Sequence, residues 1–280
     1  MKRASAPPRL GPPGALRRPG TIAAIAWLVA VILGAALAPL VAPAGPITAD
    51  TDRLLLPPGP GGLLGTDWLG RDLLQRLLWG SRWTLATAAA ALLVAVGLGL
   101  PVGLTAGAAG GRIEAVLMSI VEALLAFPGL LLAMAVVAIL GPGLVSVALA
   151  VGLAASPAYA HVARAAAADV RTQAYVEVAE SLGGSRLHIL LRHILPNAAG
   201  SLLAFGASQL GWVLLNGAAL HFLGLGAPLG TPDWGAMIAE GRLYLEDALW
   251  VSGFPGLALT ATVLAANVLA DRIRDALAPR

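Results

Sequence analysis

Apolar residues fill six stretches of this chain, near 21–42, 84–107, 115–141, 144–164, 198–220 and 249–270, with few charges inside any of them. Each approaches or exceeds the roughly 20 residues that a helix needs to cross a bilayer, so the pattern predicts six transmembrane helices. Alanine and glycine dominate these stretches, and small side chains let helix backbones approach closely in lipid. Leu100-Pro101, Phe127-Pro128 and Ser156-Pro157 mark expected kinks, because a proline ring removes a backbone donor.

Two polar stretches interrupt the pattern. Residues 174–197, AYVEVAESLGGSRLHILLRHILPN, are polar enough to lie in water. Val170, Ala174, Val178, Ala179 and Leu182 recur at helical spacing, with Asp169, Arg171, Gln173, Glu177 and Glu180 on the other face. Gly183-Gly184 predicts the end of that helix through a left-handed cap. Ser185 suits the N-cap of a second short helix, which Pro196 is expected to close. A structured polar hairpin kept between two spans predicts a surface that docks something soluble.

The other interruption precedes the second span. Leu69, Leu73, Leu74, Leu77 and Leu78 line one face of an expected helix whose other side carries Arg71, Asp72, Gln75 and Arg76. Thr66 or Asp67 is its expected cap, and Asp72 with Arg76 an expected i,i+4 pair. Trp68, Trp79 and Trp83 suit an interfacial helix at headgroup depth. The later stretch 221–247 is rich in Gly, Pro and acids; His221 reads there as a packed or interfacial residue, and Trp234 and Trp250 as interface anchors or contacts.

Composition narrows the class. Hydrophobic residues make up 58% of the 280 and charged ones 12%, about half the charge of a soluble domain. Cysteine is absent, which excludes disulfides and thiolate metal sites. The net charge of +3 invites a nucleic-acid reading, but the cations follow membrane topology instead of gathering on one face. With the N-terminus inside, thirteen of the 18 cationic residues fall on the cytoplasmic side, among them Arg112, Arg164, Arg171, Arg186, Arg192 and Arg272. The outer stretches hold only Arg53, Arg71, Arg76, Arg82 and Arg242, beside eight acids. The positive-inside rule therefore puts both termini and the 165–197 hairpin in the cytoplasm.

The expected organisation is a disordered cytoplasmic start at 1–20, a first span at 21–42, an outer segment at 43–83 and a core of five spans at 84–280. A cleaved signal peptide is the rival reading of the first span, with small residues following at Ala42-Pro43-Ala44. Its apolar run of about 20 residues exceeds the 7–15 of a usual signal core.

Chemistry is constrained mostly by exclusion. The only lysine is Lys2, so no G-x-x-x-x-G-K-[ST] phosphate loop exists and the chain does not hydrolyse nucleotide by that route. Transport energy would have to come from a partner or an ion gradient. Gradient-driven carriers keep ionisable groups in the membrane, yet only Glu122 lies well inside a predicted span. That residue reads as pairing with a neighbouring helix or reaching the interface. A membrane-embedded enzyme would need a nucleophile–base constellation, for which Ser146 and Ser156 have no partners in the pattern.

The hairpin resembles the EAA loop of inner-membrane subunits in ATP-binding-cassette (ABC) importers. Glu177-Val178-Ala179, then Gly183, then Leu195-Pro196 follow that signature with Val for its middle Ala. Tyr175-Val176-Glu177, Gly183-Gly184-Ser185 and Arg192-His193-Ile194-Leu195-Pro196-Asn197 are similar to the dipeptide, oligopeptide and nickel permeases. So are Leu64-Gly65-Thr66-Asp67, Gly70-Arg71-Asp72, Gly80-Ser81-Arg82, Phe222-Leu223-Gly224-Leu225-Gly226 and Pro232-Asp233-Trp234-Gly235. Asn267 and the stretch from Asp271 to Pro279 extend the likeness, which covers about residues 20–280. Departures are Ser119 for a common Arg, Leu229-Gly230 for a common proline pair, and Ala278 for a usual Asp.

The resemblance implies an all-α integral membrane protein of six transmembrane helices, with the type I ABC importer permease (MetI-like) fold and a cytoplasmic coupling helix. It implies a non-catalytic permease subunit that moves di- or oligopeptides across a bacterial or archaeal cytoplasmic membrane, with nickel or another small solute as the alternative cargo. ATP and Mg would sit on two partner ATP-binding subunits; this chain would bind no cofactor, metal or nucleic acid. The other implied partners are a second homologous permease, an extracytoplasmic solute-binding protein and membrane lipid. Ala174, Val178, Ala179 and Leu182 would pack into a groove of the ATP-binding subunit, Glu177 and Arg186 would make polar contacts, and Gly183 and Pro196 would shape the loop. Pro232, Asp233 and Trp234 are the implied contact for the binding protein.

Overall fold

The computed structural model describes residues 19–42, 45, 48–59, 62–226 and 230–277. The expected disordered start up to residue 18, Pro43-Ala44 of the signal-peptide reading, Leu229 and Ala278-Pro279 lie outside the described residues. Ten α-helices follow in order among those described: α1 (Pro19–Val41), α2 (Leu73–Ala109), α3 (Gly111–Leu125), α4 (Gly129–Leu140), α5 (Leu144–Arg171), α6 (Ala174–Ser181), α7 (Arg186–Ile189), α8 (Leu195–Phe222), α9 (Trp234–Gly241) and α10 (Leu249–Leu277). Among them no strand forms; isolated bridges pair Gly59 with Gly62 and Thr66 with Asp72.

Five helical stretches are long and apolar enough to cross a membrane: α1, α2, α5, the run from α7 through α8, and α10. The third predicted span is broken. Its two pieces, α3 and α4, meet at 90°, because Pro128 disfavours helical backbone at Phe127 and starts a new helix. Counted together they make a sixth span. Pro101 and Pro157, marked in the same way by the sequence, lie within helices that run on. Neighbouring helices re-satisfy backbone groups around a proline in lipid.

The helix expected at 69–78 is not a separate interfacial element. Nothing between Trp79 and Trp83 breaks the chain, so it forms the first turns of the 37-residue α2. At 1.5 Å per residue α2 is roughly 55 Å long, well beyond the ~30 Å hydrocarbon core. Its first turns therefore project past the apolar layer. The N-cap is Asp72, whose carboxylate accepts from the Gln75 amide at 2.9 Å, in place of the expected Thr66 or Asp67.

Helices α2 and α5 form the most extensive interface. Gly99, Gly103 and Gly107 recur every fourth residue along α2 and lie against the Ser156, Ala160 and Arg164 backbones of α5. One apolar cluster joins Ala88, Ala91 and Ala95 of α2 with Val147 and Val151 of α5 and Val213 and Leu214 of α8. A second, nearer the hairpin end, gathers Leu104, Tyr159, Ala163, Ala167 and Leu202. The Tyr159 hydroxyl donates to the Leu202 carbonyl at 2.9 Å, tying α5 to α8. Peripheral α1 is fastened to α10 by Trp27 Nε1 donating to Thr262 Oγ1 at 3.0 Å and by Arg272 Nε donating to Thr21 Oγ1 at 3.2 Å. Glu122 stands exposed near the end of α3, without an ion-pair partner among the described residues.

Candidate functional site

The polar hairpin leaves α5 where Thr172 and Gln173 break the helix; Thr172 Oγ1 and Gln173 Nε2 both donate to the Asp169 carbonyl. Asp169 and Val170 therefore belong to α5, and the hairpin helix proper begins at Ala174. Its end is a Schellman turn. Gly184 N donates to Ala179 O at 3.1 Å and Gly183 N to Glu180 O at 3.0 Å, with Gly183 at φ +83°. Ser185 then caps α7, its hydroxyl accepting from the His188 amide at 3.3 Å.

Pro196 does not close the second helix. Leu190–Ile194 form a π-helical turn that carries α7 directly into α8, with Pro196 in the first turn of α8. A proline ring clashes with the carbonyl four residues before it, and the wider turn relieves that crowding. The hairpin is thus an α6 arm folded back on the N-terminal end of a helical run, Arg186–Phe222.

The two faces of this arm differ sharply. Val176 is fully buried, and it joins Ile189 and Ile194 in the cluster around Ala163 and Ala167 of α5. These three anchors were missed by the sequence reading, which assigned the face from the 174, 178, 182 stripe. Only the offset pair Val176 and Ala179, three apart, signals the inward face. Ala174, Val178 and Leu182 point away from the chain, Leu182 with 83% of its surface exposed; Ala179 is half-buried. Tyr175, Leu187 and Leu191 are also exposed, as are Glu177, Glu180, Arg186 and Pro196 of the same hairpin. Tyr175 and His188 both lie against the His193 ring, with centroids 6.3 and 5.9 Å away, which ties α6 to the run behind it. The outcome is a rigidly anchored arm with leucines and a valine turned outward, a surface that gains roughly 25 cal/mol per Å² when a partner covers it.

At the other end of the molecule the charged residues are internal. Asp67 Oδ2 accepts from Arg71 Nε and Arg76 Nη1, each at 2.6 Å; Glu240 Oε2 of α9 accepts from Arg71 Nη2 at 3.1 Å and Arg76 Nη1 at 2.8 Å. All four side chains are at least nine-tenths buried. Arg76 thus turns inward to Asp67 and Glu240, and the expected pairing with Asp72 is absent because Asp72 caps α2.

Pro232, Asp233 and Trp234 are likewise buried, which removes them from any open contact surface in this chain. Asp233 caps α9 by accepting from the Gly235 amide at 2.8 Å, and accepts from Thr84 Oγ1 of α2 at 2.7 Å. Trp234 Nε1 donates to the Leu77 carbonyl at 3.0 Å, with its ring against Gly80. This block fastens α9 to α2. The exposed groups beside it are Trp68, Arg242, Leu243 and Leu245.

Comparison with known proteins matches residues 99–280 to the family described as binding-protein-dependent transport system inner membrane component. The chain is 39% identical over 267 residues to the di/tripeptide transport system permease protein DppC of Pseudomonas aeruginosa, spanning 93% of this chain and 88% of that one. It is 42% identical over 231 residues to the glutathione transport system permease protein GsiD of Pectobacterium atrosepticum, spanning 82% and 77%. The probable D,D-dipeptide transport system permease protein DdpC of Escherichia coli is 37% identical over 262 residues, spanning 94% and 88%. Among solved structures, a chain of the inward-facing MetNI methionine ABC transporter superposes with a TM-score of 0.60 at 20% identity, covering 72% of this chain and 96% of that one. The expected all-α, MetI-like permease fold is what the helices form. By profile match and by identity across nearly its whole length, the chain belongs to the family of binding-protein-dependent transport system inner membrane components.

Proposed function

We propose that this chain is the peptide-conducting permease subunit of an ABC importer, with the α6–α7 hairpin as the element that couples it to ATP hydrolysis on partner subunits. The observation that carries the reading is the two-faced hairpin: Val176, Ile189 and Ile194 hold it from within while Val178, Leu182 and Leu187 stand uncovered. A short helix with an apolar stripe and flanking charges suits a groove on a soluble protein, where Glu177 and Arg186 fix its register. Closure of two ATP-binding subunits would push this anchored arm against α5 and the inner end of α8, shifting the spans between inward and outward states.

Peptide cargo is favoured by the di/tripeptide, glutathione and D,D-dipeptide relatives. The cation bias of the cytoplasmic stretches supports both termini inside. A second permease completes the pathway as a heterodimer, and an extracytoplasmic binding protein delivers substrate near Leu243 and Leu245 of the 221–247 stretch. The test is uptake by the reconstituted importer in proteoliposomes. ATP-dependent accumulation of a radiolabelled dipeptide supports the reading; accumulation of nickel with no peptide uptake overturns its substrate.

A further inference from the structure

Where α2 ends and α3 begins, a cavity of about 630 Å³ opens between that turn and the hairpin, within the roughly 300–1,000 Å³ of small-ligand sites. Ala108 and Ala109 of α2, Ile113 of α3, and Leu187 and Leu190 beyond the Gly183 turn give it an apolar floor. Its charged groups are Arg171, Glu180 and Arg186. All three are exposed, and none of their side chains makes a hydrogen bond or ion pair among the described residues. Arg171 reaches back from the end of α5, so that a β-carbon on Gly110 would meet its guanidinium. The cavity thus has an open cation beside the α2–α3 turn and an open carboxylate, Glu180, on the hairpin arm. From Ile113 the apolar floor continues along α3, where Ile113, Val116 and Ile120 are exposed and share one side of the helix at i, i+3 and i+7. That stripe is about 10 Å long at 1.5 Å per residue. The apolar stretch 84–107 of α2 stops at this cavity, which puts it at the depth where hydrocarbon gives way to headgroups.

We propose that this cavity seats the headgroup of a phosphatidylethanolamine from the cytoplasmic leaflet, an assignment that rests on the cytoplasmic placement of the hairpin. The lipid phosphate meets the Arg171 guanidinium in a charge-assisted pair, its ammonium meets Glu180, and one acyl chain lies along Ile113, Val116 and Ile120. Charge decides the headgroup. With Arg186 engaged by the ATP-binding subunit, one cation and one anion remain in the cavity, which matches a zwitterion. Phosphatidylglycerol satisfies Arg171 but brings no cation to Glu180. The seated lipid ties the hairpin arm, through Glu180, to the turn between α2 and α3.

The complete importer, ATP-binding subunits attached, is placed in nanodiscs that carry phosphatidylethanolamine with a diazirine in its acyl chain, and the adducts are mapped by mass spectrometry. Adducts are expected on Ile113, Val116 or Ile120, several-fold more than from phosphatidylglycerol bearing the same chain. Thr105→Trp, at an exposed position on the cavity wall, should remove most of them. Glu180→Gln should bring the two lipids to equal labelling; because Glu180 is exposed, this variant keeps the assignment testable even where Thr105→Trp assembles poorly. Labelling that is absent in the wild type, equal for the two lipids there, or unchanged in both variants overturns the assignment, absence in the complete importer by giving the cavity to the ATP-binding subunit. The chain has no cysteine, so a Leu182→Cys variant reports the side of the hairpin to a membrane-impermeant maleimide in sealed right-side-out vesicles. Protection there without lipid adducts sinks the headgroup seat alone, and labelling there sinks the cytoplasmic placement beneath it.

Discussion

Gly103 of α2 lies directly against Ala160 of α5: a β-carbon on Gly103 would overlap the Ala160 carbonyl oxygen and stand 2.7 Å from the Ala163 Cβ. Gly99 and Gly107, one turn to either side, repeat the contact. The two helices meet along a stripe to which α2 contributes no side chain, so that the α5 backbone and the Tyr159, Ala163 and Ala167 β-carbons lie directly on the α2 backbone. In lipid, where apolar surface gains little by leaving its surroundings, such close packing is a main source of helix association. This interface carries the C-terminal end of α5, from which the hairpin springs.

Gly103→Val should therefore cost about 1–3 kcal/mol by overpacking and lower the detergent melting temperature by several degrees. Gly97 faces open space in the same helix, with nothing within 4 Å of an added β-carbon, so Gly97→Ala should leave the melting temperature within a degree or so. Equal melting of the two variants would contradict the packing account.

How far these features were legible in the sequence depends on the range of the interaction that makes them. The spans and their small residues follow from local pattern, and the break at Phe127-Pro128 from proline's effect on its neighbour. Pro101 and Pro157 carry the same signal without breaking α2 or α5, because packing against neighbouring helices decides there. Local spacing pairs Arg76 with Asp72; its partners are Asp67, nine residues back, and Glu240, 164 residues on, and no helical periodicity reports either. For the same reason Asp233 and Trp234 read as loop residues, although Thr84 and Leu77 of α2 hold them inside. In the hairpin the capping glycines and Ser185 were readable because their roles are local. Its inward face was not, since Val176 is defined only by contact with α5.

Asp67→Asn leaves two buried guanidinium groups facing the single carboxylate of Glu240. Removing one partner from a buried ionic cluster costs about 3–5 kcal/mol. A large fall in the thermal melting temperature is expected, and a normal melt would show that the cluster does not hold the 67–76 stretch to α9.

Gly183 is required for its backbone, not for space: φ is +83° and no atom lies within 4 Å of an added β-carbon. A β-branched residue there costs about 1–3 kcal/mol in local strain, whereas asparagine tolerates the left-handed conformation. Gly183→Val should insert in the membrane normally yet uncouple ATP hydrolysis from peptide uptake, with Gly183→Asn retaining most coupling. Comparing uptake per ATP hydrolysed checks this; equal ratios in the two variants would remove the turn from the mechanism.

Val176 and Val178 are two residues apart on opposite sides of α6. Val176→Ala should loosen the hairpin and increase amide hydrogen exchange across 174–189, because it empties a fully buried site. Val178→Ala should leave that exchange unchanged.

The central claim is that the outward face of the hairpin receives the ATP-binding subunits. Its most direct test is the affinity of those subunits for the permease held in nanodiscs, measured for the wild type and for Val178→Asp with Leu182→Asp. Both positions are exposed, so the melting temperature of the permease should not change. The account predicts a Kd at least tenfold weaker, about 1.4 kcal/mol. Wild-type affinity in the doubly charged hairpin would contradict it.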